Sequence, residues 1–178
     1  MANYITISRI LLIFPVLILA SPEPGLNNWI ALIIFVIAGI TDHLDGYVAR
    51  KTGSVSSLGA LLDLVADKLL IIITIFYFVS QGSSLLLIIP SILIIIREIV
   101  ISSLRQHLAE IEGENLIKVT FIAKSKTTLQ IFALSFLIIS PNFGEPFFLL
   151  TILLFWIAAY VSLHSLYRYI KTYRNLIK

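Results

Sequence analysis

Apolar residues occupy this chain in six long runs, each closed by a short polar or turn-forming stretch. The first is Ile5 to Ala20, interrupted by Arg9 and Pro15, and Ser21 to Asn28 with its two prolines and glycine reads as a turn. Trp29 to Ala49 is the second run and Ser57 to Ser80 the third, with Gln81 to Ser84 turning the chain into a fourth, Leu85 to about Leu108. That helix carries Pro90, Arg97, Glu98 and Arg105. Glu110 to Asn115 reads as a polar loop and Leu116 to Phe121 as a short surface segment. The fifth run is Ala123 to Ser140, and Pro141 to Pro146 turns into the sixth, Phe147 to about Tyr173. A bilayer-crossing helix needs about 20 predominantly apolar residues. The pattern therefore predicts an all-α integral membrane protein, six transmembrane helices in one bundle, with residues 1–178 as a single domain and no soluble module.

Composition strengthens this prediction. With 58% hydrophobic and 13% charged residues, the chain lies outside the usual globular balance. The first run follows no strongly basic start and meets no small-residue cleavage site, so it reads as a retained span. No cysteine is present, which excludes disulfides, thiolate nucleophiles and cysteine zinc sites. The net charge of +3 matters less than where the cations fall. The turns at 21–28, 81–84 and 141–146 contain no Lys or Arg, whereas Arg50, Lys51, Arg105, Lys118, Lys124, Lys126, Arg168 and Lys171 lie at the opposite helix ends. By the positive-inside rule both termini are cytoplasmic.

Against this background one stretch is costly. Asp42, Asp45, Asp63 and Asp67 fall within 26 positions, and four carboxylates at membrane depth would oppose insertion by about 10 kcal/mol without compensation. On a helix at about 100° per residue, Asp42 and Asp45 share one face, as do Asp63 and Asp67. The intervening Arg50 to Gly59, rich in Gly, Ser and Thr, reads as a turn that would let two antiparallel helices face each other. Oxygen donors without cysteine favour a hard cation, Mg²⁺ or Mn²⁺. The same carboxylates could alternatively serve a small cation or proton transporter.

The full pattern, D-x2-D-G-x2-A-R-x8-G-x3-D-x3-D from Asp42 to Asp67, resembles the signature of the CDP-alcohol phosphotransferase family. That resemblance implies a membrane enzyme of phospholipid biosynthesis that moves a phosphatidyl group from CDP-diacylglycerol to an alcohol and releases CMP. It implies Asp42, Asp45, Asp63 and Asp67 as ligands of two divalent metal ions, with Asp67 also the catalytic general base. Gly46, Ala49, Arg50, Ser56 and Gly59 would bind the CDP-lipid, although close helix packing for Gly46, Ala49 and Gly59, snorkelling for Arg50 and turn chemistry for Ser56 are the plainer readings. A homodimer follows from the resemblance as well, and no nucleic-acid partner is expected.

The acceptor is read from the second half. Arg97 and Arg105 on one helix, and Lys124 and Lys126 on the next, would hold an acceptor that itself carries phosphate. These stretches, with the opening Asn3 to Arg9, resemble family members that use sn-glycerol 3-phosphate. Thr6 and Arg9 are lesser candidates, since Tyr4 stands where such members tend to carry proline. Lys124 and Lys126 could instead anchor anionic lipid, and Arg97 could simply pair with Glu98. Phosphatidylglycerol, inositol phosphate and serine are the alternative acceptors. The expected location is a bacterial inner membrane with the active site facing the cytoplasm.

Overall fold

The computed structural model describes the backbone of residues 2–52, 57–82, 84–112 and 121–176, and the side chains of 7–41, 65–66, 68–82, 84–104, 106–107 and 127–171. Among them are six α-helices and no strand: α1 (Ala2–Leu19), α2 (Leu26–Thr52), α3 (Ser57–Ser80), α4 (Leu85–Glu112), α5 (Phe121–Ile139) and α6 (Glu145–Leu176). A 3₁₀ turn, Ser140–Asn142, follows α5. The predicted turns are shorter than the sequence suggested. Arg50 to Thr52 and Ser57 to Gly59 are helical, as are Leu26 to Asn28, Glu110 to Glu112 and Glu145 to Pro146. A helix satisfies its own backbone groups, and Pro146 at its second position loses no intrahelical bond. Of the surface segment expected over Leu116 to Phe121, Phe121 opens α5; residues 116–120, and Ser56, lie outside the described residues.

Within each helix the exposed positions are as apolar as the buried ones. On α1, Ile7, Leu11, Phe14 and Ile18 face outward while Ile13 and Val16 are buried; on α4, Ile89, Ile92, Ile96 and Ile99 are exposed and Leu87, Ile94 and Ile101 buried. Both sets follow helical spacing. Polar side chains go the other way, with Arg9, Asn28, Ser91, Arg97, Glu98, Gln130 and Ser162 all buried. This inversion is what a hydrocarbon solvent selects. Among the described residues, two helices have stretches long and apolar enough to cross a membrane, Leu85–Leu104 and Glu145–Lys171. In the others the described apolar part is shorter, as in Leu26–Thr41 and Lys68–Ser80.

The chain divides into two compact units. Unit 1 comprises Met1–Ser83 and Leu134–Thr151, and in it α1 packs against both α2 and α3. At one end Asn142 locks the turns together: its Oδ1 accepts from Gly25 N at 3.1 Å and Asn28 Nδ2 at 2.9 Å, and its Nδ2 donates to Gly25 O at 3.0 Å. Buried Asn28 also accepts from Ser21 N at 2.8 Å and donates to Glu23 O at 2.9 Å. The Tyr77 hydroxyl on α3 donates to the carbonyl of Ala20, just beyond α1. Trp29, Phe143, Phe147 and Phe136 form a chain of ring contacts with centroids 4.8–6.0 Å apart.

Unit 2 comprises Ser84–Ala133 and Ile152–Lys178. In α4, Pro90 has no N–H to give the carbonyl of Leu86. The Trp156 indole of α6 supplies the missing donor, at 3.0 Å. Buried hydroxyls are satisfied inside their own helices, Ser91 Oγ donating to Leu87 O at 2.7 Å. A proline in the middle of an apolar helix is thus covered by its neighbour.

Candidate active site

Asp42, Asp45, Gly46, Ala49 and Arg50 all stand in the C-terminal part of α2, and Gly59, Asp63 and Asp67 in the first three turns of α3. Each carboxylate pair therefore sits in continuous helix, with the three- and four-residue spacings that share a face. The side chains of these eight residues lie outside the described residues, as does that of Thr6 on α1. Arg9 is described: it lies on the buried stripe of α1, the helix that packs on both α2 and α3, with 1% of its surface exposed. A guanidinium at that depth has to be held by polar partners, since an isolated buried charge is prohibitive. A cavity of about 370 Å³ in unit 1, lined by Phe78, Gln81, Leu137, Ser140, Glu145 and Phe148, belongs to the other end of α3. It begins eleven residues beyond Asp67, about 17 Å along the helix, and so is not the carboxylate site.

The acceptor candidates fall in unit 2. Arg105 is on α4 and Lys124 and Lys126 are in the first two turns of α5, with side chains outside the described residues. Arg97 is fully described and 1% exposed. Its Nη1 donates to Glu98 Oε1 at 2.9 Å, its Nε to Ser162 O at 3.2 Å and its Nη2 to Ser165 Oγ at 3.1 Å. Glu98 Oε1 also accepts from Gln130 Nε2 at 3.1 Å, and the same Nε2 donates to Ser162 Oγ at 3.1 Å. One ion pair thus ties α4 to α5 and α6. Spreading a buried charge pair over further hydrogen bonds is the condition under which its desolvation is offset.

Comparison with known proteins decides the family. A family model described as CDP-alcohol phosphatidyltransferase matches residues 1–164. The chain belongs to the CDP-alcohol phosphatidyltransferase family. Its relatives include proteins named CDP-diacylglycerol–glycerol-3-phosphate 3-phosphatidyltransferase in three organisms. That of Rickettsia felis is 41% identical over 176 residues, covering 95% of this chain and 92% of the relative. The Rickettsia bellii protein is 38% identical over 171 residues, with 95% and 92% covered. The Haemophilus influenzae protein is 37% identical over 169 residues, with 94% and 90% covered.

Membership in the CDP-alcohol phosphatidyltransferase family agrees with the resemblance of the Asp42–Asp67 pattern to that family's signature. It leaves Gln130, Ser162, Ser165, Asn28 and Asn142 unexplained, and sequence reasoning passed over all five. Gln130 and Ser162 carried one signal that could have found them. Each is a polar residue at mid-helix in an apolar run, where it needs a partner.

Proposed function

We propose that this protein transfers the phosphatidyl group of CDP-diacylglycerol to sn-glycerol 3-phosphate, giving phosphatidylglycerophosphate and CMP. The observation that carries the reading is the eight-residue pattern from Asp42 to Asp67 set in two continuous helices. The names of relatives 37–41% identical over nearly the whole chain support the choice of acceptor. All six helices span a membrane, the bacterial inner one, as one transmembrane domain with both termini and the site cytoplasmic. The protein works as a homodimer.

The donor set fits a hard divalent cation: four carboxylates, no thiol, and paired spacing on α2 and α3. Asp42, Asp45, Asp63 and Asp67 hold two Mg²⁺ or Mn²⁺ ions, which would neutralise the pyrophosphate and the departing CMP oxygen. Gly46 and Ala49 leave room for the nucleotide, with Ser56 and Gly59 beside them, and Arg50 donates to a phosphate oxygen. Arg105, Lys124 and Lys126 hold the acceptor phosphate, with Arg97 a further candidate for it; Thr6 and Arg9 are lesser candidates. Asp67 takes the proton of the acceptor hydroxyl as its oxygen bonds the phosphorus that carries diacylglycerol. The bond from that phosphorus to CMP breaks.

The test supplies purified protein with CDP-diacylglycerol, Mg²⁺ and one acceptor at a time. Phosphatidylglycerophosphate and CMP formed with glycerol 3-phosphate, and not with serine, inositol phosphate or phosphatidylglycerol, is the expected result. Product with a different acceptor alone overturns the substrate assignment. Cation flux into liposomes without CMP release overturns the enzymatic reading.

A further inference from the structure

Gln130 is an unexpected residue to find where it is. It sits in α5 with 2% of its surface exposed, and its Oε1 is buried with no hydrogen-bond partner among the described residues. An unsatisfied carbonyl in an apolar interior is unfavourable. A leucine or methionine would fill the same space without it. What the amide adds is a bifurcated donor: Nε2 reaches Glu98 Oε1 on α4 and Ser162 Oγ on α6, both at 3.1 Å. Glu98 is in turn held by Arg97, whose Nε and Nη2 donate to Ser162 O and Ser165 Oγ of α6. The α5 side of this buried cluster is Gln130.

Its place along the helix gives that link a consequence. Lys126 precedes Gln130 by one turn and Lys124 by six residues, about 6 and 9 Å of helix rise. Arg105 follows Arg97 on α4 by eight residues, about 12 Å. The cations assigned to the acceptor phosphate thus extend from two helices that the Gln130–Glu98 hydrogen bond fixes against each other, all within unit 2. Recognition of a phosphate by several cations depends on their mutual spacing to within a fraction of an ångström. A helix that slid or rotated about its own axis would move Lys124 and Lys126 together.

We propose that Gln130 is a positioning residue: through its hydrogen bonds to Glu98 and Ser162 it sets the register of α5 against α4 and α6, and so fixes the affinity for the phosphorylated acceptor. The inference rests on the acceptor reading given above. Gln130 does not touch the substrate.

Gln130→Met keeps the side chain's length and removes the donor. In steady-state assays it is expected to raise the KM for glycerol 3-phosphate about tenfold, with kcat and the KM for CDP-diacylglycerol within twofold of the parent. The exchange Glu98→Gln with Gln130→Glu reverses donor and acceptor while preserving the link. It is expected to return the acceptor KM to within threefold of the parent, whereas each single change raises it. If Gln130→Met fails to fold, the exchange and its two singles carry the test. Equal movement of both KM values, an unmoved acceptor KM, or an exchange no better than its singles overturns the positioning role. Those outcomes presuppose a parent active with a phosphorylated acceptor; a parent that turns over only a neutral acceptor overturns the site reading itself.

Discussion

The two units treat charge in opposite ways. Unit 2 buries Arg97 and Glu98 side by side and closes the account with Gln130, Ser162 and Ser165, drawn from positions 32 to 68 residues away. Unit 1 instead concentrates four aspartates in the C-terminal part of α2 and the N-terminal part of α3, at spacings set by the helix itself. The first ion pair is met by protein donors; the second group, on the reading proposed above, is met by divalent cations. Charge that holds a membrane protein together is scattered in sequence and gathered by packing. The proposed metal ligands, by contrast, are clustered in sequence.

The largest effect should come from unit 1. Asp67→Asn is expected to lower kcat for CMP release by at least 100-fold, the scale of a lost general base, while the thermal midpoint in detergent hardly changes. A drop of less than tenfold would erase the contrast between the units. In unit 2 the order of effects should reverse. Arg97→Met leaves Glu98 buried without its guanidinium and is expected to cost about 3–5 kcal/mol of stability, seen as a large fall in the melting midpoint. The double change Arg97→Met with Glu98→Met should recover most of that loss. A double variant as unstable as the single one would mean that the pair is not the unit that matters.

Smaller effects sharpen the contrast at each unit's structural joints. Asn142→Ala strips Gly25 and Asn28 of partners and is expected to cost about 1–3 kcal/mol. Activity per folded molecule should be unchanged. Trp156→Phe leaves the Leu86 carbonyl opposite Pro90 unsatisfied and is expected to cost about 1 kcal/mol, again read from the melting midpoint. An unchanged midpoint would show that the carbonyl finds another donor.

How much of this could be read from sequence follows the same division. The helix expected over about Ser57 to Ser80 is found there, although its first turn overlaps the stretch read as a turn, because an apolar run defines the helix locally. The carboxylate pattern was equally local, and its spacing needed only the helical period. Helix ends were misjudged where serine, threonine and glycine suggested turns, as at Arg50 to Thr52, since a helix continued through them keeps its backbone hydrogen bonds. The Asn28–Asn142 lock joins residues 114 apart, and the Gln130–Glu98 bond residues 32 apart. Nothing in either neighbourhood names the partner. Pro90 was visible within α4, but that Trp156 supplies its missing donor depends on packing alone.

The central claim is that acceptor and donor are held by different residues, the aspartate helices for the CDP-lipid and the cations of α4 and α5 for the acceptor phosphate. The measurement that tests it most directly is a two-substrate kinetic comparison of Arg105→Ala and Lys124→Ala with the parent. A tenfold or greater rise in the KM for glycerol 3-phosphate, with the KM for CDP-diacylglycerol within twofold, is the expected result. A rise confined to CDP-diacylglycerol, or equal for both substrates, would contradict it.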